Sequence, residues 1–563
     1  MAVIEPQNDE NDKNTIDSRN RQLARSTLIV MIAFAVAKVI SLGQTFIIAR
    51  RFGVGAEWDA YVAANRIPEL IFTLIAGGAL SHAFIPIFSG YLAKNDTDKA
   101  WSVASHVINT IFVATAIISV VVFVTAPFLV SEFVAPGFES AVQQQTVEMM
   151  RILLISTLIF SVSGLVMGIL QSHNHFLLPA LAPIMFDLGI LFGVIFLLNP
   201  LGVQGVAIGA VLGASMHLAI QIPGLMRVKA RWIPELGWGD PVLWRVIRLM
   251  IPRVAGLGVF SINFLVMNNI ASRLGTGSVS ALDWGWRLMQ IPQTLLGTAM
   301  GIVIFPTLAA LSEVGNETGK RTAMSGALRF ILVTSIPSAI GLVIIGRPLI
   351  GLLERGAFDS SASALVYSTL QFFALGLIVH SALEVVARSF YADKDTLTPL
   401  WAALGGASIN LVLSFLLSDV ARVESNLFYN SIVAETIGFQ RDVGNVGGLA
   451  LANSLGVAFE VGFLMVILRR RWHGVAENVL ATTVIKTLFA SLTMALSIVA
   501  ISIAWDMIGL GTDSLPMNIG LLGVEVIIGA LVFLGTAILI KMEELTMLYT
   551  MIFQHNNKQK ALA

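Results

Sequence analysis

Apolar residues run through this chain in long blocks separated by short polar turns, from Leu28 to Leu539. A helix rises about 1.5 Å per residue, so about twenty apolar residues cross the ~30 Å hydrocarbon core of a bilayer. The blocks fall at roughly 27–49, 60–91, 103–126, 149–171, 180–198, 202–225, 243–270, 281–312, 324–345, 363–391, 399–418, 446–468, 480–505 and 518–541. They predict an all-α polytopic membrane protein with about fourteen transmembrane helices.

The blocks repeat. Ile48-Ala49-x-Arg51-Phe52-Gly53-x-Gly55 recurs as Ile270-Ala271-x-Arg273-Leu274-Gly275-x-Gly277. Phe84-x-Pro86 recurs as Phe305-Pro306, with the prolines 220 residues apart. Pro136-Gly137-Phe138-Glu139-Ser140 recurs as Gly356-Ala357-Phe358-Asp359-Ser360, and Pro179 recurs as Pro399, both at the same offset. Gly205-x-Ala207 then matches Gly448-x-Ala450 at an offset of 243, so about 23 residues entered the second copy, and the polar stretch Asp419–Asn445 is long enough to hold them. The repeat pairs spans 1–6 with spans 7–12 and leaves spans 13 and 14 outside. Two pseudo-symmetric six-helix lobes plus two C-terminal helices are therefore expected, an architecture of alternating-access transporters. The expected segments are a cytoplasmic polar tail at 1–26, an N-lobe at 27–228, a C-lobe at 229–470, spans 13 and 14 at 471–541, and a cytoplasmic tail at 542–563.

Charged residues make up 12% of the chain, about half the ~25% of soluble domains, and mean hydropathy is +0.81. Such a surface needs lipid as its solvent. Lysine and arginine balance aspartate and glutamate at 35 each, which gives no signal for nucleic acid. Cysteine is absent, which excludes disulfides, thiolate metal sites and cysteine nucleophiles. Residues 1–26 lack the short apolar core of a signal peptide. About 19 basic residues fall in the two tails and the loops on their side, against about 7 in the opposite loops. Both termini are therefore expected in the cytoplasm. No nucleophile elbow, phosphate-binding glycine loop or metal-ligand helix appears, so the chain reads as a transporter rather than an enzyme, with no catalytic residue, metal or cofactor. His173-Asn174-His175 lies in a short turn with no nearby carboxylate and is not taken as a metal site. With no nucleotide-binding domain, an ion gradient, the membrane potential or the substrate's own gradient must drive transport.

A charge at membrane depth costs several kcal/mol unless it is paired or faces water, so polar residues inside spans are functional candidates. The first half offers Lys38 and Gln44, then Asp59, Arg66 and Glu69; the second offers Asp283 and Arg287, then Glu384 and Arg388. Asp187, Glu460 and Glu525 are single acids elsewhere. Asp283 and Arg287 are four residues apart, so one helix face carries both and they can pair. Trp284 and Trp286 lie between the two, and Pro292 follows, where a missing backbone hydrogen bond kinks a helix. A guanidinium facing a cavity there would grip a phosphate through two parallel hydrogen bonds. The alternative is a pair near the membrane surface that only orients its helix. Glu384 and Arg388 share the four-residue spacing and read as a self-satisfied pair. His82, His217 and His380 read as helix-packing hydrogen bonders.

Five stretches carry a resemblance. They are Gly77-Gly78-Ala79-Leu80-Ser81-x-Ala83-Phe84-Ile85-Pro86; Gly168-Ile169-Leu170-Gln171 through Pro179-Ala180-Leu181-Ala182-Pro183; Glu354-Arg355-Gly356-Ala357-Phe358; Arg388-x-Phe390-Tyr391-Ala392-x-x-Asp395-Thr396-x-Thr398-Pro399; and Gly448-Leu449-Ala450-Leu451-Ala452-Asn453-Ser454. From about Leu28 to Leu539 the chain resembles the MurJ (MviN) family, flippases of the peptidoglycan precursor lipid II within the MOP exporter superfamily. The resemblance implies a fourteen-helix fold with two lobes around a cationic cavity, and a groove at spans 13 and 14 for lipid tails. It also implies a bacterial cytoplasmic (inner) membrane and roles in peptidoglycan biosynthesis, cell wall biogenesis and cell shape.

The chain departs from the family it resembles at the cavity that the resemblance implies. Two arginines in span 1 are matched by Lys38 and Gln44, and an arginine of span 2 by Phe72. A glutamate of span 2 falls on Gly77. The span 8 arginine is Arg287, while its usual acidic neighbours fall on Trp286 and Gln290. Asp59 and Arg66 match positions of like charge. Asn410 matches one ligand of a sodium site found in some homologues, but the acid a turn later is Ser414, so no metal is expected. The expected substrate cavity is therefore Arg287, Lys38, Gln44, Asp59, Arg66, Phe72, Asp283, Trp286 and Gln290, with hinges at Pro68 and Pro292. Three functions stay open: flipping of lipid II with membrane lipids as the other partners, export of another lipid-linked saccharide or amphiphile, and a transport-inactive scaffold for cell-wall synthesis machinery.

Overall fold

A computed structural model describes residues 40–75 except 42, 79–418 except 174, 445–508, and 515–544. All regular structure among the described residues is helical. In chain order the helices are α1 (Ala56–Ile75), α2 (Ala79–Ala93), α3 (Thr97–Val134), α4 (Ser140–Ser172), α5 (Leu177–Leu201), α6 (Gln204–Arg227) and α7 (Pro241–Ser272). There follow α8 (Ser278–Glu313), α9 (Glu317–Gly351), α10 (Ser360–Ala392), α11 (Leu397–Leu417), α12 (Val446–Arg471), α13 (Glu477–Met507) and α14 (Leu515–Leu539).

Helices α3 to α14 each contain a stretch long and apolar enough to cross a membrane, and they coincide with predicted spans 3 to 14. Among the described residues there are thus twelve such spans, where the sequence predicts about fourteen. Both α1 and α2 belong to predicted span 2, while most of span 1, including Lys38, lies outside the described residues. Residues 1–26, residues 545–563, most of Asp419–Asn445 and the Gly77-Gly78 pair lie outside them as well. The chain is a multi-pass membrane protein, and large apolar side chains stand exposed accordingly, among them Val124, Leu295, Leu496 and Leu531.

The helices group into two compact units. The first comprises residues 1–48, 67–127 and 145–254; the second comprises 49–66, 128–144 and 255–563. In the first unit, α2, α3, α4 and α7 bury Phe84, Phe88, Trp101, Val107, Ile111, Leu165 and Leu243. In the second, α8, α9, α10 and α12 bury Leu308, Met324, Ala327, Ile331, Val385 and Leu464. Phe88 and Leu308, Ala104 and Met324, Val107 and Ala327, Ile111 and Ile331, and Leu165 and Val385 occupy equivalent places in the two cores. All five pairs keep the 220-residue offset, so the sequence repeat is also a packing repeat. Helices α9, α13 and α14 form a further core around Met494, Ile498 and Phe533.

The repeated motifs also touch each other within the second unit. The Gly356-Ala357 motif meets the end of the Ile48–Gly53 motif: the Ala357 N–H donates to the Arg50 carbonyl at 2.9 Å. A Cβ on Gly356 would lie 2.3 Å from that same oxygen. The Pro136-Gly137 motif meets the end of the second-copy motif, where the Gly137 N–H donates to Ser272 Oγ at 3.1 Å. A Cβ on Gly137 would lie 2.3 Å from the Ser272 carbonyl oxygen. Each copy of one motif therefore fits against the opposite copy of the other, and glycine permits the approach.

Among the described residues π-helical turns lie at Val130–Val134, which ends α3, and at Gly193–Leu197 and Thr294–Thr298, inside α5 and α8. The last begins two residues after Pro292. Proline leaves a carbonyl one turn earlier without its donor, and the widened turn absorbs the mismatch.

Candidate functional site

In the second unit the polar residues of α1 and α8 come together. Helix α8 starts at Ser278, preceded by Gly277 at φ +91°. The first N–H groups of a helix have no partner inside it and carry its positive dipole end. Asp59, on α1, supplies one. Its Oδ2 accepts the Gly277 N–H at 2.6 Å, and its Oδ1 accepts the Ser280 N–H at 2.7 Å and the Ser280 hydroxyl at 2.6 Å. Asp59 is buried, so its carboxylate serves as a cap for α8.

One turn further along α8, Asp283 is also buried. Its Oδ2 accepts Arg287 Nε at 2.6 Å, as the four-residue spacing predicts, and its Oδ1 lies 3.5 Å from Arg66 Nη2. Two guanidinium groups therefore share one carboxylate. The two arginines differ in setting. The Arg66 side chain is 11% exposed and that of Arg287 is 53% exposed. Arg66 is further held by Asn268, whose Oδ1 accepts its Nε at 3.4 Å, and its guanidinium lies 5.9 Å from the centre of the Phe264 ring. Asn268 is fully buried and donates through Nδ2 to the Val134 carbonyl at 2.9 Å. That second bond fixes which way the amide points. Asn268 was not among the expected residues. An asparagine inside an otherwise apolar span was the available signal.

The tryptophans beside the pair have separate surroundings. Trp284 is buried and donates its indole N–H to the Gly53 carbonyl at 3.3 Å, with Trp58 stacked 6.0 Å away. Trp286 is half-buried in an aromatic cluster: Phe264 at 4.7 Å, Phe373 at 5.3 Å and His380 at 5.3 Å between ring centres. His380 is fixed by Asn453, 3.1 Å from its Nε2. Gln290 is exposed on the same helix. Glu384 and Arg388 pair with each other on α10, and Thr298 also donates to Glu384, at 3.4 Å.

The remaining expected residues lie in the first unit or elsewhere. Phe72 is half-buried against Phe160 at 5.2 Å, and Phe160 in turn packs on His217. His217 Nδ1 lies 2.6 Å from Ser163 Oγ. Pro68 is buried, and its carbonyl accepts the Thr157 hydroxyl at 3.5 Å. Gln44 is buried in the described end of span 1. Asn410 is buried; it donates to Asn263 Oδ1 at 2.7 Å and accepts the Ser414 hydroxyl at 3.1 Å. Among the described residues no three His, Asp or Glu side chains gather as a metal site. His173 stacks on Trp101 at 5.9 Å.

Comparison with known proteins gives one family. The family model described as "Lipid II flippase MurJ" matches residues 48–515. The lipid II flippase MurJ of Burkholderia cenocepacia is 30% identical over 394 residues, covering 68% of this chain and 76% of that protein. The probable lipid II flippase MurJ of Rhizobium tropici is 28% identical over 513 residues, covering 90% and 92%. Among solved structures, a lipid II flippase MurJ in an inward closed conformation superposes with a TM-score of 0.72 at 22% identity, over 91% of this chain and 99% of that one. An inward-facing multidrug resistance MATE transporter of the MOP superfamily gives 0.63 at 14% identity, over 80% and 98%.

Proposed function

Because the chain belongs to the lipid II flippase MurJ family, we propose that it carries lipid II, the polyprenyl-diphosphate-linked peptidoglycan precursor, across the bacterial cytoplasmic membrane. The observation that carries this reading is the family match through residues 48–515, which spans both copies of the repeat. The Asp283 trio supplies a chemical basis. The Arg287 side chain is 53% exposed, and the buried Asp283 carboxylate holds its Nε and so sets its orientation. An exposed, oriented guanidinium suits the paired oxygens of a diphosphate.

In this reading Arg287 and Lys38 bind the diphosphate. Arg66 sets the position of Asp283, and Gln44, Phe72, Trp286 and Gln290 line the path of the headgroup. Asp59 stiffens the entry to α8. Pro68, and Pro292 with its π turn, serve as hinges for alternating access. The two segments 27–228 and 229–470 act as lobes, spans 13 and 14 accommodate the lipid tails, and both termini face the cytoplasm.

The test is complementation. A bacterium depleted of its own lipid II flippase is expected to grow when it expresses this chain and to lyse when it expresses Arg287→Ala at equal membrane abundance. Rescue by the alanine form would remove Arg287 from the mechanism. Failure of the parent chain would favour a second reading, for which the aromatic cluster at Trp286 speaks: export of another lipid-linked saccharide or amphiphile with aromatic-binding surface.

A further inference from the structure

The segment joining α6 to α7 does not pass freely between helices; it is strapped onto α3. The Ile233 N–H donates to Ser105 Oγ at 3.0 Å, Asn109 Nδ2 donates to the Ile233 and Glu235 carbonyls at 2.7 and 2.8 Å, and Thr110 Oγ1 donates to the Leu236 carbonyl at 2.7 Å. Trp232 donates its indole N–H to Asn109 Oδ1 at 2.8 Å. His106 adds a contact to Asp240, with Nδ1 3.2 Å from Oδ2. Between this strap and the faces of α3 and α4 lies a groove of about 410 Å³. Its walls are Trp101, Phe112, Val162, Val166, Ile169 and Leu225, and Arg231 and Trp232 stand on its strap side.

The strap uses up the polar groups of this wall. Ser105 and Asn109 line the groove, yet their hydrogen-bonding atoms are directed at strap backbone and the Trp232 indole. A polar ligand would have to give up water for few partners, so the interior favours hydrocarbon. Phe112 lies fifteen residues beyond Thr97, about 22 Å along α3, so the groove reaches from the strap toward the middle of the span. The strap itself has the make-up of a membrane interface. Trp232, Trp238 and Trp244 are all exposed. Arg227, Lys229, Arg231, Arg245 and Arg248 are exposed beside them. The acids nearby are fewer: Asp98 pairs with Arg231 at 2.7 Å, Glu235 lies 3.8 Å from His106, and Asp240 is buried against His106 and Lys99. An exposed pair such as Asp98 and Arg231 is weak and leaves the arginine open to competition by a phosphate.

We propose that this groove is a binding site for an anionic membrane phospholipid, with one acyl chain along α3 and α4 and the phosphate on Lys229 and Arg231. The site is formed by one unit alone and does not depend on which cargo the protein carries. The basic residues select the headgroup, and the apolar wall takes the chain.

The absence of cysteine makes a direct test available. Val162→Cys, inside the groove, and Ile117→Cys, on the exposed face of α3, are each labelled with bimane in the full chain and reconstituted into vesicles. The vesicles contain phosphatidylcholine with either dibrominated phosphatidylglycerol or dibrominated phosphatidylcholine at equal mole fraction. Bromine quenches bimane on contact. At position 162 the anionic lipid is expected to bind roughly fivefold more strongly than the zwitterionic one. At position 117 the two should quench alike, and Lys229→Gln with Arg231→Gln should bring position 162 to the same parity. Equal quenching by both lipids at position 162 in the parent background would reduce the groove to ordinary annular contact and overturn the proposal. So would no quenching at 162 by either lipid, since the groove would then be closed or filled by protein.

Discussion

Asp283 and Arg287 lie 2.6 Å apart across one turn of α8, the carboxylate buried and the guanidinium more than half exposed. The asymmetry separates two kinds of variant. Arg287→Ala removes an exposed partner and is expected to cost under about 1 kcal/mol of stability. Asp283→Asn removes the buried anion that both Arg66 and Arg287 contact, at a cost of about 2 kcal/mol. Thermal unfolding of the two purified variants checks the order. A destabilisation by Arg287→Ala as large as that by Asp283→Asn would make the arginine a structural residue, and its loss of function would then say nothing about cargo.

Asp59 makes three hydrogen bonds to the start of α8 from a buried position. Asp59→Ala strands two N–H groups and is expected to lower stability by about 2 kcal/mol. Asp59→Asn retains one acceptor oxygen and should cost less. Hydrogen exchange at the first turn of α8 is the local readout: it should quicken in the alanine variant more than in the asparagine variant. Unchanged exchange would mean that the carboxylate is not what holds that helix end.

Much of this was legible in the chain. The lengths of the apolar blocks placed α3 to α14 to within a few residues at most ends, because a bilayer demands a minimum apolar length of each span. The Asp283–Arg287 pair followed from helical spacing alone. What spacing does not reveal is contact between distant segments. Arg66 and Asp283 are 217 residues apart, so nothing in the sequence marked them as partners. The sequence and its resemblance place Asp59 among the cavity charges, but its burial against the end of another helix depends on tertiary packing. Trp284 and Trp286 look alike in sequence, yet two residues along a helix is a rotation of roughly 200°, and they point into different surroundings.

The turns beside the spans carry a pH dependence. Burial alone would raise the Asp240 carboxyl, but the Val242 N–H, His106 and Lys99 outweigh it and hold the group below the usual carboxylate range. Asp395 is similar: burial raises it, while the Thr398 N–H and hydroxyl and Arg471 bring it down. A carboxyl with a depressed folded value stabilises the fold above its unfolded value, near 3.9, and loses that contribution as pH falls through the folded value. Thermal stability is therefore expected to decline as pH is taken below about 4. Asp240→Asn should flatten part of that decline and leave the rest, which Asp395→Asn should reduce. A parent and an Asp240→Asn chain with parallel pH profiles would show that the strap contact contributes nothing through its charge.

Gly53 and Gly275 occupy the same place in the two copies of one motif, and both have positive φ, at +59° and +107°. Their surroundings differ. A Cβ on Gly53 would lie 2.2 Å from the Ala357 carbonyl oxygen, a backbone atom with no freedom to swing away, whereas a Cβ on Gly275 meets nothing within 4 Å. Alanine at either position pays for the left-handed backbone, about 1 kcal/mol. At Gly53 the clash adds about 1–3 kcal/mol more. Gly53→Ala is therefore expected to unfold at a clearly lower temperature than Gly275→Ala, with the parent above both. Equal losses would mean that backbone conformation alone accounts for glycine in the motif, and that the approach of Ala357 is loose enough to yield.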